Sequence, residues 1–164
     1  YQNKDISSTA IREKITQGKM TEVNDPMFSE KMLGDGVAVY PHFKTGLFSS
    51  KTEPVFAPCD GEVILVFTEK HAVGIRTPEG HEILIHMGIE TVELKGTPFT
   101  IYCKVGDAVK HGDKIADVNW KEISKNGKDT VIPVIWTNND SNTEIKVLKD
   151  SGEVKVGEPL FEIN

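Results

Sequence analysis

The chain is poor in the features that would make several function classes easy to assign. Of its 164 residues only two are cysteine and 7% are aromatic. Cys59 and Cys103 lie far apart with no C-x-x-C spacing, which leaves too few thiols for a disulfide framework and points to a reducing compartment. No apolar run approaches the roughly 18 residues of a membrane-spanning helix. No charged-then-apolar leader opens the sequence, so a cytoplasmic, water-soluble protein is expected. Because the first residue is Tyr1 rather than Met, a soluble module of a longer, membrane-bound polypeptide is an equally acceptable setting. Positive charge is also in deficit: the formal net charge of -6 removes the attraction to phosphate backbones or anionic lipid, which argues against nucleic acid and direct membrane insertion.

What is present is a set of short apolar runs, each stopped by Gly, Pro, Asn or Asp. Val37-Ala-Val-Tyr40, Gly61-Glu-Val-Ile-Leu-Val-Phe67, Ala72-Val-Gly-Ile75, Ile83-Leu-Ile85, Thr100-Ile-Tyr-Cys103, Val131-Ile-Pro-Val-Ile-Trp136 and Leu160-Phe-Glu-Ile163 all fit this pattern. Their spacing predicts an all-β antiparallel sandwich or barrel in one domain, since 38% hydrophobic residues suffice for one core. Helix is expected only over residues 117–125 and 8–17, the latter opened by Ser8 as a cap. A weak repeat links Lys104-Val-Gly-Asp-Ala-Val-Lys-His-Gly-Asp-Lys-Ile-Ala with Val154-Lys-Val-Gly-Glu-Pro-Leu-Phe, which suggests two related β units sharing one core. Residues 41–53 and 138–143 read as surface loops.

The chemistry concentrates between His71 and His86. Thr77-Pro-Glu-Gly80 is a turn, because Pro presets φ at its first central position and Gly suits its fourth. If Thr77 and Gly80 are the closing pair, Arg76 faces His81, Val73 faces Leu84, and His71 faces His86, with about 5 Å between the histidine Cβ atoms. A three-residue loop with Gly80 in a bulge shifts the register by one and sends the two histidines to opposite faces. Spacing alone leaves both registers open.

Facing imidazoles beside Phe67, Leu84 and Val73 could bind metal, exchange protons or carry a phosphoryl group on nitrogen. Zinc would need further ligands, and the chain has no H-x-H, no H-x-x-x-H and no cysteine nearby. A hydrolase triad lacks its serine or cysteine elbow. Phosphoryl relay asks only for one neutral nitrogen as nucleophile and a second N–H to hold oxygens. His42, His81 and His111 fall in turns or loops and read as surface residues, and Cys59 as inert.

Lys70-His-Ala, Ile83-Leu-Ile-His-Met-Gly-Ile-Glu-Thr-Val-Glu-Leu-Lys-Gly96 and Phe28-Ser-Glu-Lys-Met-Leu-Gly-Asp-Gly36 resemble the glucose-family enzyme IIA of the bacterial phosphoenolpyruvate-dependent sugar phosphotransferase system. The resemblance runs over residues 25–164. It implies a duplicated β-sandwich, of the kind called a barrel-sandwich hybrid, that accepts a phosphoryl group from phosphohistidine HPr and passes it to a cysteine of a IIB domain, with no cofactor and no metal. His86 would carry the group on Nε2 and His71 would stabilise it, a pairing that favours the direct register over the bulged one. The backbone at Gly88 would add a donor. Asp35, Glu90 and Glu93 would meet the basic patch of HPr, and an apolar ring of Phe28, Val37, Phe67 and Leu84 would complete the docking surface. The resemblance leaves room for regulatory partners.

Two stretches depart from the family pattern. The opening strand usually carries Ala-Pro-x-x-Gly, whereas this chain has Glu13-Lys-Ile-Thr-Gln-Gly-Lys19, so residues 1–24 stay unassigned. Glu69 stands where a small hydroxyl residue is common; a carboxylate there would repel an incoming phosphoryl group, and its side chain is expected to point away. Two other classes fit the sequence less well. A biotinyl or lipoyl carrier is suggested by the repeat but lacks a lysine at a Met-Lys-Met or Asp-Lys-Ala hairpin, and a binding-only regulator is disfavoured by the two intact histidines.

Overall fold

The computed structural model describes residues 9–13 (backbone only), 18–21, 25, 33–44, 46, 51–139, 145–149, 151–155 and 157–163. In chain order the elements are β1 (Thr9–Glu13), β2 (Gly18–Thr21), β3 (Asp35–Pro41), β4 (Glu53–Phe56), β5 (Gly61–Val66), β6 (Ala72–Arg76) and β7 (Glu82–His86). A 3-10 turn (Thr91–Leu94) follows, then β8 (Phe99–Ile101), β9 (Ala108–Val109), β10 (Lys114–Val118), helix α1 (Trp120–Lys125), β11 (Ile132–Trp136), β12 (Ile145–Val147), β13 (Gly152–Val154) and β14 (Glu158–Ile163).

The strands form one eight-stranded sheet in the order β13-β2-β3-β11-β7-β6-β5-β9 and two three-stranded sheets, β4-β10-β8 and β1-β14-β12. The described pairings are antiparallel, so the architecture is an all-β antiparallel sandwich, with one short helix among the described residues. The long sheet positions the histidines. β11 at its centre is buried along its whole length, as a strand covered on both faces should be. β7 alternates instead: Ile83 and Ile85 point into the core while Leu84 and His86 are half-exposed. One apolar cluster includes Val63, Val73, Ile85 and Val134 together with Trp120 and Phe161 from the other elements.

The sequence repeat resolves into one turn used three times. In Lys104-Val-Gly-Asp107 the Asp107 carboxylate accepts from Lys104 N at 3.0 Å, and in Lys110-His-Gly-Asp113 Asp113 accepts from Lys110 N at 2.8 Å. Before β14, Glu158 accepts from Lys155 N at 3.2 Å. In each case the penultimate glycine has a positive φ, at 97°, 92° and 99°, the left-handed conformation that a side chain disfavours.

Both helix expectations need correction. Residues 9–13 form strand β1, paired with β14, because tertiary pairing outweighs a weak local helix pattern. Residues 117 and 118 belong to β10, and the helix starts only after Asn119, whose Oδ1 caps Glu122 N at 3.1 Å. Asn138, read as loop, has a structural role. Its Oδ1 accepts from Glu82 N at 2.7 Å and from Trp136 Nε1 at 2.9 Å, while its Nδ2 donates to Gly80 O at 2.9 Å. The tip of the histidine hairpin is thereby tied to the end of β11.

Candidate functional site

The hairpin adopts the bulged register, not the direct one that the family resemblance favours. Thr77 N donates to His81 O at 2.8 Å, Gly80 N to Thr77 O at 2.9 Å, and Gly80 has φ 92°, the signature of a type I turn closed by a glycine bulge. Consequently Arg76 pairs with Glu82, in a 2.7 Å ion pair, and Ala72 rather than His71 pairs with His86. Val73 pairs with Ile85 on the core face, so it lines the core and not the histidines.

The two imidazoles nevertheless meet, with ring centroids 5.0 Å apart at an interplanar angle of 74°. Strict alternation would have separated them; it does not apply because His71 precedes the regular strand. Lys70 just before it has φ 62°, which breaks the extended path and swings His71 over the strand end. Met87 N donates to His71 O at 2.7 Å, and the Phe67 ring lies 4.9 Å from the His71 ring. His71 is buried, at 6% exposure.

His86 is fixed by its own main chain. Its Nδ1 lies 2.5 Å from Gly88 O. A carbonyl only accepts, so Nδ1 carries the hydrogen and Nε2 carries the lone pair. Gly88 serves here as an acceptor, contrary to the expectation of a donor, because its N–H is engaged with Val131 O at 2.8 Å. Ile89 N is likewise bonded to Asp129 O at 3.0 Å, and Thr91 Oγ1 holds Met87 O at 2.7 Å. The loop after His86 is therefore pinned on both sides. A β-carbon on Gly88, which has φ 83°, would meet Thr91 Cγ2 at 2.4 Å and Asp129 O at 2.9 Å.

Burial lowers the His86 pKa to about 4, and the neighbouring His71 pushes it in the same direction, against the Gly88 bond and the Asp25 charge, which raise it. Burial also lowers the pKa of His71, opposed by Glu69. Both rings are neutral at pH 7. The unfolded chain takes up a His86 proton near the reference value of about 6.5, whereas the folded chain does so only near 4. The folded state thus binds fewer protons between those values and loses stability as pH falls through that window. We expect a loss on the order of 2 kcal/mol, after allowing for partial solvent contact, read by urea denaturation at pH 7 and pH 4, and a shallower pH dependence in His86→Gln.

Around the rings, the outer face of β5, β6 and β7 carries apolar side chains. Leu84 pairs with Gly74, and Gly74 with Leu65. Gly74 is buried, and a β-carbon there would lie 3.2 Å from Leu65 Cβ, so Leu65 packs over it. Leu65 and Phe67 are 41% and 37% exposed, large values for residues of this size. Leu65 is absent from the sequence-based set; its alternation with Val63 and Val66 was blurred by the bulge within β5.

The remaining expected partner residues separate. Val37 pairs with Val134 in the inward row and packs against the core cluster, so it does not join an outer apolar ring. Asp35 pairs with Trp136, which pairs with Ile83, three positions along β7 from His86 and therefore about 10 Å up the strand. The carboxylate whose charge does reach His86 is Asp25, which sequence reading missed because it lies outside any strand and far from the histidines in the chain. Glu90 and Glu93 are exposed but engaged by Lys128, the first at 3.6 Å and the second more closely. Phe28 lies outside the described residues. Cys59 is buried, and burial pushes its thiol up to about 12, as an inert cysteine requires.

Comparisons with known proteins bear on the family and the fold. A family model described as phosphoenolpyruvate-dependent sugar phosphotransferase system, EIIA 1, matches residues 14–142. The glucose-specific EIIA component of Halalkalibacterium halodurans is 44% identical over 119 residues, 73% of this chain and 64% of that protein. The corresponding Bacillus cereus component is 42% identical over 126 residues, covering 76% of this chain and 70% of its own length. The glucose-specific EIICBA component of Staphylococcus carnosus is 40% identical over 142 residues, which is 87% of this chain but 19% of that protein. The solved glucose permease IIA from Mycoplasma capricolum superposes with a TM-score of 0.82 at 33% identity, covering 95% of this chain and 96% of that one. The chain spans just under two thirds of the first of these relatives and about a fifth of the EIICBA protein. A matching family model over most of the chain, relatives above 40% identity and a shared fold together place it: the chain belongs to the EIIA 1 family of the phosphoenolpyruvate-dependent sugar phosphotransferase system.

Proposed function

We propose that this chain is a phosphoryl carrier that accepts the group from the phosphohistidine of HPr on His86 Nε2 and delivers it to a cysteine of a IIB domain. The observation that carries the reading is the tautomer lock. Gly88 O holds the His86 proton on Nδ1, and the lowered pKa keeps the ring neutral, so a lone pair is present on Nε2 beside a second imidazole 5.0 Å away.

The step balances simply. The Nε2 lone pair forms a new N–P bond as the donor N–P bond breaks, and the donor imidazole leaves with its electron pair. Positive charge develops on the His86 ring, next to the carbonyl dipole of Gly88, which stabilises it. His71 donates an N–H to the transferred oxygens. In the onward step a thiolate attacks phosphorus, an S–P bond forms, and the electron pair returns to Nε2. Positioning and electrostatics supply nearly all of the catalysis in such transfers. The surface of exposed Leu65 and Phe67 with half-exposed Leu84 supplies the dry rim against which both partners dock, with Asp25, Glu90 and Glu93 as the acidic groups near a basic donor. Lys128 pairs with both glutamates.

Among the described residues no helix is long and apolar enough to cross a membrane. The proposed setting is the cytoplasm, with the chain acting alone or as a segment of a longer permease, and the sugar being chosen by the membrane domain. Incubation with labelled phosphoenolpyruvate, enzyme I and HPr tests the reading: an acid-labile, base-stable label on His86 is expected, and no label contradicts it. The rate of acceptance is expected to be flat from pH 8 down to about 5 and to fall as pH approaches the His86 value of about 4, measured as initial label uptake at each pH. A midpoint near 6.5 would show that the ring is not protected from protonation.

A further inference from the structure

The imidazole of His71 holds an unexplained atom. Its Nδ1 is buried and has no hydrogen-bond partner among the described residues. A buried polar nitrogen without a partner is costly in a folded protein and calls for a reason. His86 does not share the problem, since its Nδ1 is bonded to Gly88 O. Orphaning Nδ1 is tolerable while His71 is neutral, because that nitrogen can then be the one without hydrogen. It becomes much less favourable once His71 is protonated, when both ring nitrogens are donors. Protonation is what a phosphoryl group with its negative charge on the neighbouring His86 ring, 5.0 Å away, would promote.

Among the described residues, one carboxylate acts on His71, that of Glu69. Phe67 contributes an apolar ring at 4.9 Å, β7 contributes His86 and the main chain of Met87, and Ala72 opposite His86 is apolar. Asp25 acts on His86, and Lys128 is engaged by Glu90 and Glu93. The Lys70 side chain lies against Gly96, as does the main chain of Glu69. Glu69 itself is half-buried in the turn closed by Lys70 N and Phe67 O at 2.8 Å, two residues before His71. Its charge acts on the His71 ring, favouring the protonated form.

We propose that Glu69 is a positioning residue for His71, its carboxylate accepting the Nδ1–H when His71 turns its other N–H toward a phosphoryl group on His86. The inference rests on the phosphoryl-carrier reading and concerns the far side of the second imidazole. It revises the expectation that a carboxylate at this place must point away: a negative charge on the Nδ1 side is separated from the phosphoryl oxygens by the ring, and there it strengthens the donor rather than repelling the group. The proton that His71 gains comes from solvent and returns to it when the group leaves.

The test compares wild type, Glu69→Gln and Glu69→Ala by nitrogen NMR of the His71 ring across pH, in the unphosphorylated and the phosphorylated protein. Glutamine keeps the size and an acceptor oxygen but removes the charge. In both variants the His71 titration is expected to move to lower pH, more in the phosphorylated state, with the Nδ1 resonance losing its strongly hydrogen-bonded character. The alkaline limb of the onward-transfer rate should move the same way, giving roughly a tenfold loss at its midpoint. A His71 titration identical in wild type and Glu69→Gln overturns the proposal. If wild type takes no label from phospho-HPr, the carrier reading fails, while the unphosphorylated titration still judges the Glu69 contact.

Discussion

His86→Gln is expected to take up no phosphoryl group, whereas His71→Gln is expected to be labelled to completion and to hand the group on at least about 100-fold more slowly. The asymmetry follows from what each ring holds. In His86 the Gly88 carbonyl places the hydrogen on Nδ1, and in the proposed transfer Nε2 then bears the lone pair that must attack. Glutamine offers no comparable nucleophile. In the proposed transfer His71 lends an N–H to oxygens that are already bonded to phosphorus, and a glutamine amide can imitate part of that bond without the charge that a protonated imidazole brings. Uptake and onward transfer of label, measured separately by rapid quench, distinguish the two roles. Equal loss of uptake in both variants would mean that the roles assigned to the two rings are wrong.

Gly88→Ala should be nearly as damaging without touching either imidazole. The residue has φ 83°, and an added methyl would sit 2.4 Å from Thr91 Cγ2 and 2.9 Å from Asp129 O. The Asp129 contact is backbone and cannot rotate away, so the peptide carrying Gly88 O must shift. A displacement on the order of 1 Å in a group that orients the nucleophile costs about 100-fold in rate, and the strain adds about 2–4 kcal/mol of destabilisation. Gly106→Ala is the control: it has φ 97° but nothing within 4 Å of the added carbon. It should lose about 1 kcal/mol by the backbone term alone and keep its transfer rate. The comparison needs initial label uptake and urea midpoints for the two variants.

Much of the architecture could be read from the chain because apolar runs broken by glycine and proline record strands directly. Val131-Ile-Pro-Val-Ile-Trp136 is a fully buried centre strand, and Ile83-Leu-Ile-His86 alternates between core and surface as its residues suggest. The two histidines were found in the sequence, but the register that unites them was not. Spacing could not choose between a two-residue turn and a glycine bulge, and neither scheme foresaw that a left-handed Lys70 would release His71 from strand alternation. Val37 was misplaced for a related reason: one residue of register decides between core and rim. Asp25 and Leu65 were invisible because their closeness to the site arises from chain packing and from a bulge in β5, neither of which leaves a periodic trace. The double hold on the Gly88 loop, by Thr91 on one side and residues 129–131 on the other, likewise depends on a long-range pairing.

His86 presents a neutral imidazole with its hydrogen on Nδ1 and its lone pair on Nε2. Phosphorus and nitrogen NMR of the protein phosphorylated through HPr reads this directly, since the two isomeric phosphohistidines have different couplings and shifts. A single N–P bond at His86 Nε2 is expected, with Nδ1 still protonated at neutral pH. Phosphorus on His86 Nδ1, or on His71, would contradict it.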